Sequence, residues 1–140
     1  MNGVYLFALC LFFYSCGSVS SDFVSVGSGG GFAGTATVYK VTPKGEVFKG
    51  GGIGEIKFTQ RGKIKKGQAK AIIAKVAEQA RTTPPFSHPG NLYYFIESTE
   101  NGAEKKITWG DADHTVPENV KRVYDEVDAR VSTIKYKPIK

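Results

Sequence analysis

An Asn-Gly pair at positions 101–102 separates two runs of strand-forming residues, LYYFIES at 92–98 and KKITW at 105–109. Asn and Gly both accept the left-handed backbone that a tight hairpin turn requires, so the pair forces the two runs to lie antiparallel. A second turn signal, Thr42-Pro43-Lys44-Gly45, sits between the alternating, β-branched run TATVYKV at 35–41 and Glu46–Lys49. Pro43 presets φ and Gly45 is free to take φ > 0. Two hairpins of this kind specify antiparallel sheet.

Two segments change period. Ala69, Ile72, Ile73, Val76, Ala77 and Ala80 recur at helical spacing over 67–81. Val120, Val123, Tyr124, Val127 and Val131 do the same from about 118 to Ser132, and Thr115 with Glu118 fits a capping box at its start. Residues 22–26 and EIKFTQ at 55–60 alternate as strands. Gly50–Gly54 interrupts the pattern, and TTPPFSHPGN at 82–91 is loop, because three prolines and a glycine forbid regular structure. IKYKPIK, at the C-terminus, is left as an edge strand or a free tail. The expected fold is α+β, an antiparallel β-sheet of hairpins packed by two helices, in the order β-ββ-β-α-ββ-α. No βαβ alternation and no internal repeat is present.

The N-terminus sets this domain apart. VYLFALCLFFY at 4–14 is an apolar run of eleven, too short for the roughly 20 residues that span a bilayer. It fits the apolar core of a secretory signal peptide. The chain has two cysteines, Cys10 and Cys16, both in this leader, so the domain after them has no disulfide, cysteine-zinc site or thiol nucleophile. Three parts follow: 1–15 as signal peptide, 16–21 as the modified cysteine and its tether, and 22–140 as a single α+β domain.

The formal charge of +6 is local. Residues 61–81 hold seven Lys or Arg and one Glu, and the rest of the chain is neutral. This reads as a solvated basic helix face. A leader routes the chain away from nucleic acid, and Tyr93, Tyr94 and Phe95 read as strand residues filling both sheet faces, so no nucleic-acid partner is expected. Neither glycine tract leads into a helix or ends in Lys-Ser/Thr, so neither forms a phosphate loop.

Catalytic residues are sparse. The domain has only His88 and His114, each read as a surface or capping residue, and no G-x-S-x-G elbow. Asp111 and Asp113 lack the further ligands of a calcium loop. The expectation is a chain that is not an enzyme, is monomeric, and has no cofactor or metal. The remaining feature is the loop Ser28, Gly29, Gly30, Gly31, Phe32, Ala33, Gly34. Two readings stand. One is a wide turn with Phe32 folded back into the core. The other is a partner-binding loop with Phe32 as an apolar anchor.

The stretch Phe13-Tyr14-Ser15-Cys16-Gly17-Ser18 resembles the lipobox of bacterial lipoproteins, in its looser Bacteroidota form. That resemblance implies cleavage before Cys16, a thioether-linked diacylglycerol on its sulfur and an acylated (palmitate-type) N-terminus, anchoring the protein in the cell envelope. The alternative is ordinary signal cleavage among Ser18–Ser21 and a secreted protein. VFK at 47–49, PGNLYYFIE at 89–97 and KITWGD at 106–111 are similar to uncharacterised lipoproteins of the same kind. SGGGFAG at 28–34, with the Tyr39 strand and the Gly45 turn, is similar to the opening of emfourin-like proteins, a family that includes inhibitors of thermolysin-like metallopeptidases. The resemblance implies a small α+β protein whose partner is a metallopeptidase.

Overall fold

A computed structural model of the chain describes residues 22–140. The leader, Cys16 and the tether through Ser21 lie outside the described residues.

Four strands form a meander: β1 (Phe23–Gly30), β2 (Thr35–Val41), β3 (Glu46–Gly52) and β4 (Lys57–Lys63). Helix α1 (Lys66–Thr82) follows, then a two-residue strand β5 (Ser87–His88), the hairpin β6 (Leu92–Glu100) and β7 (Ala103–Trp109), helix α2 (Glu118–Val131) and a short β8 (Lys137–Pro138). The sheet order is β5-β7-β6-β1-β2-β3-β4-β8. All pairings are antiparallel except β5 with β7. The fold is therefore α+β, with both hairpins where the turn residues placed them and two short edge strands beyond the expected order.

The register explains the core. Val26 lies opposite Tyr39 on one side and Ile96 on the other, and Ile96 lies opposite Ile107. These side chains point to one face, where they meet Ala69, Ile72 and Val76 of α1 and Val120, Val123, Tyr124 and Val127 of α2. The helices run antiparallel. Lys75 Nζ reaches Glu126 Oε1 at 2.5 Å, and the Asn119 amide donates to Gln79 Oε1.

Among the described residues the other face has no helix over it, yet Ser25, Val38 and Phe95 are buried there. Its cover is aromatic. Phe95 lies across Gly27, Tyr93 lies across Gly29, and Phe48 meets Phe58 edge-on at 6.5 Å between ring centroids. Lys106 Nζ stands 4.1 Å above the Phe95 ring, and Lys40 Nζ stands 3.8 Å from the Phe23 ring centre, so cations close this layer toward water.

Three local expectations need correction. Gly50–Gly52 does not end β3. The strand continues through it with a bulge between Lys49 and Gly50, and a Cβ on Gly50 or Gly51 would collide with the carbonyls of Lys57 or Ala36. The proline-rich loop is not wholly irregular, because Ser87 and His88 pair with Thr108 and Trp109. The capping box at Thr115 is not formed. Val116 is buried, Pro117 follows it in an extended conformation (ψ 135°), and α2 starts one residue later with the Pro117 carbonyl accepting from Val120 N–H at 3.0 Å. For the tail, the edge strand is the alternative that forms: β8 pairs with β4, and Ile139 N–H donates to the Thr59 carbonyl at 2.9 Å.

Candidate functional site

The predicted loop divides in two. Ser28, Gly29 and Gly30 belong to β1, opposite Thr37, Ala36 and Thr35, and are not loop residues. Only Gly31, Phe32, Ala33 and Gly34 form the turn, closed by Gly34 N–H donating to the Gly31 carbonyl at 3.1 Å.

Ser28 faces the helices, toward the Tyr124 hydroxyl. Burial, followed by the charge of Asp128, pushes that phenol up to about 12. Tyr124, Trp109 and Tyr94 make one aromatic cluster under this end of the sheet. Trp109 and Tyr124 meet edge-on at 5.2 Å, and Tyr94 sits 5.6 Å from Tyr124. Ser28 is thus part of the support for the loop.

The glycines have structural reasons. Gly30 has φ +95°, and a Cβ there would fall on the Asn91 carbonyl oxygen. The same carbonyl accepts from Gly31 N–H at 2.8 Å, which ties the turn to the chain entering β6. Only glycine combines that backbone with that approach.

Phe32 has no such reason. Its relative exposure is 111%, so the reading in which it folds back into the core is overturned. Its neighbours at this end are also apolar. Leu92 lies opposite Gly30, Gly52 lies opposite Ala36, and Ile53 follows Gly52 at the tip of the next hairpin. Leu92 is 57% exposed and Ile53 72%. Three large apolar side chains therefore stand free at one end of the sheet. The sequence signal for Ile53 was present in Gly52-Ile53-Gly54, which repeats the pattern of an apolar residue between glycines.

The basic helix face carries Lys66 and Lys70, both exposed, but Lys75 is paired with Glu126, and Arg81 lies 3.7 Å from Glu100. No helix of the described residues is long and apolar enough to cross a membrane.

His88 and His114, read separately in the sequence, are brought together. Their rings stack at 3.8 Å with a 5° interplanar angle. Asp111 joins them, with Oδ2 lying 2.8 Å from His114 Nδ1. The 25 residues between the two histidines, spanning a hairpin, hid this juxtaposition from local motif reading.

Comparison with protein-family models gives no match, and comparison with curated protein sequences gives none.

Proposed function

We propose that this chain is a non-catalytic, secreted and lipid-anchored cell-envelope protein that binds another protein through the Gly31–Gly34 tip. One observation carries the reading: Phe32 stands fully exposed on a turn that is itself held fast by Asn91. Burying a Phe side chain is worth about 1.5–3 kcal/mol, and leaving one in water on a rigid turn fits a residue whose burial occurs in a complex. Leu92 and Ile53 stand exposed at the same end of the sheet, and an aromatic anchor is the kind of residue on which binding energy concentrates at an interface.

The partner proposed is a thermolysin-like metallopeptidase, held without being cleaved efficiently. Its support is the similarity of residues 28–34 to emfourin-like inhibitors. Anchoring is proposed at Cys16, where more than one acyl chain on one residue gives stable attachment.

A second reading has its own support. Gly27, Gly29 and Gly30 are required by packing and backbone geometry, so the glycine tract itself is accounted for in an envelope lipoprotein with no inhibitory activity. Phe32 separates the two readings.

The test is a titration of the full chain in detergent against a thermolysin-like peptidase cleaving a peptide substrate. Stoichiometric loss of activity, abolished by Phe32→Ala, is the expected result. Unchanged activity at micromolar chain leaves the structural reading. The anchor is tested by intact mass and detergent partitioning of the wild type and Cys16→Ala. Identical behaviour of the two would reject it.

A further inference from the structure

We propose that His88, Asp111 and His114 form a binding site for one divalent first-row transition ion, with zinc as the best fit. The site owes nothing to the Phe32 tip or to Cys16, so it stands or falls separately from the function proposed above.

The backbone builds it. β5 runs parallel to the end of β7, which sets His88 beside Trp109. Thr108 N–H donates to the Phe86 carbonyl at 3.1 Å, and Asp111 N–H donates to the His88 carbonyl at 3.1 Å. The two chain segments can approach this closely because Gly90 and Gly110 face each other. A Cβ on Gly90 would lie 2.6 Å from the Gly110 carbonyl carbon. Phe86 then fixes the His88 ring edge-on at 4.8 Å. Asp111 is oriented as well, its Oδ1 accepting from Asp113 N–H at 3.0 Å, which leaves Oδ2 for the site.

The donor atoms converge. One from each of the three side chains lies within 4.8 Å of the others. Two imidazole nitrogens and one carboxylate oxygen are a donor set that zinc takes at about 2.0–2.2 Å, with the fourth position left to solvent or to a partner's ligand. Two ligands of a tetrahedral ion at that distance stand about 3.3 Å apart. Asp111 Oδ2 and His114 Nδ1 are 2.8 Å apart around a shared proton. Exchanging that proton, which passes to solvent, for an ion asks the Asp111–His114 pair to open by about half an ångström, and asks the two stacked imidazoles to turn out of their common orientation so that the plane of each ring contains the ion. His88 and Asp111 are partly buried and His114 is exposed, so one side is walled and the other admits the ion.

The test uses the full chain in detergent, stripped with a chelator, with Cys10→Ser and Cys16→Ser removing the thiols as competing ligands. It is titrated with zinc chloride against a chromophoric chelator. One zinc per chain at micromolar or tighter affinity is expected, and His88→Ala, Asp111→Asn and His114→Ala are each expected to weaken binding by roughly 10–100-fold. Circular dichroism of each metal-free variant should match the parent. As an independent readout, zinc should shift the imidazole ¹⁵N resonances of both histidines together. Absence of saturable binding up to roughly 100 μM, retention of binding in the His88→Ala/His114→Ala double variant, or a shift at only one histidine would each overturn the site.

Discussion

The Phe95 ring lies across Gly27 of the neighbouring strand, where a Cβ would come within 2.7 Å of ring Cζ and 2.6 Å of the Thr37 carbonyl oxygen. The glycine is the seat of the ring. Gly27→Ala must either lift Phe95 or push β1 from β2, and overpacking of this kind costs about 1–3 kcal/mol. Urea unfolding is expected to show that loss. Adding Phe95→Leu should recover part of it, because the two changes share one contact. A Gly27→Ala effect within about 0.5 kcal/mol, the range of ordinary surface substitutions, would mean that the ring does not rest on this strand.

Phe32 and Gly30 are two residues apart and should behave oppositely. Phe32→Ala removes a ring that is fully exposed among the described residues, so stability should stay within about 0.5 kcal/mol. Binding to the proposed peptidase partner should fall by at least about 2 kcal/mol, or roughly 30-fold. Gly30→Ala keeps Phe32 but places a Cβ against Asn91 at φ +95°. Its expected cost to stability is about 1–3 kcal/mol. Paired unfolding and inhibition curves check both. If Phe32→Ala unfolds early, the ring has a structural partner. If it inhibits as well as wild type, the tip is not the contact.

How much of this was legible in the sequence follows from the range of the interactions. Asn101-Gly102 and Pro43–Gly45 fix their hairpins through their own backbones, and the helical spacing of Val120, Val123 and Val127 fixes a buried stripe, so local reading sufficed. Gly50–Gly52 reads as a breaker because its reason lies in the flanking strands, in the carbonyls of Ala36 and Lys57. Thr115 fits the capping box by spacing, but burial of Val116 sets where α2 begins. Phe32, in the turn on either reading, could be placed in the core or in solvent only once the direction of its side chain from the folded turn was known. The His88–Asp111–His114 cluster depends on a parallel pairing of two residues, for which no periodicity exists to be read.

Glu97 gives the fold a pH dependence of definite sign. Burial raises its carboxyl above the ordinary 4.5, and Lys106, 3.7 Å away, only partly opposes this, with Glu104 adding to the rise and Lys40 lowering it. The folded chain thus holds this proton to higher pH than the unfolded chain does. Between 4.5 and the raised value the native state binds more protons, so this group's contribution falls as pH rises. Glu97→Gln removes that slope. The difference in unfolding free energy, variant minus wild type, should increase with pH across this window and then level off. A difference that is flat or decreases would show that Lys106 outweighs burial.

The C-terminal tail is held by a hydroxyl and a ring, and the two can be separated. Tyr136 Oη donates to the Val131 carbonyl at 2.6 Å, satisfying one of the acceptors that the end of α2 leaves without an intrahelical donor. Tyr136→Phe removes only this bond and should cost about 0.5–1.5 kcal/mol. The ring itself packs 6.0 Å from Tyr39 and covers Gly62, where a Cβ would lie 3.2 Å from Tyr136 Cδ1. Deleting residues 135–140 loses ring, hydroxyl and β8 together. By the measure of aromatic truncation in a core, the deletion should cost about 3 kcal/mol or more. The gap between the two variants is the packing contribution of the tail. If the deletion costs no more than Tyr136→Phe, the ring does not seal the sheet edge. In the full-length chain, amide exchange at Ile139, whose N–H is bonded to Thr59, should then be as fast as in an unstructured chain.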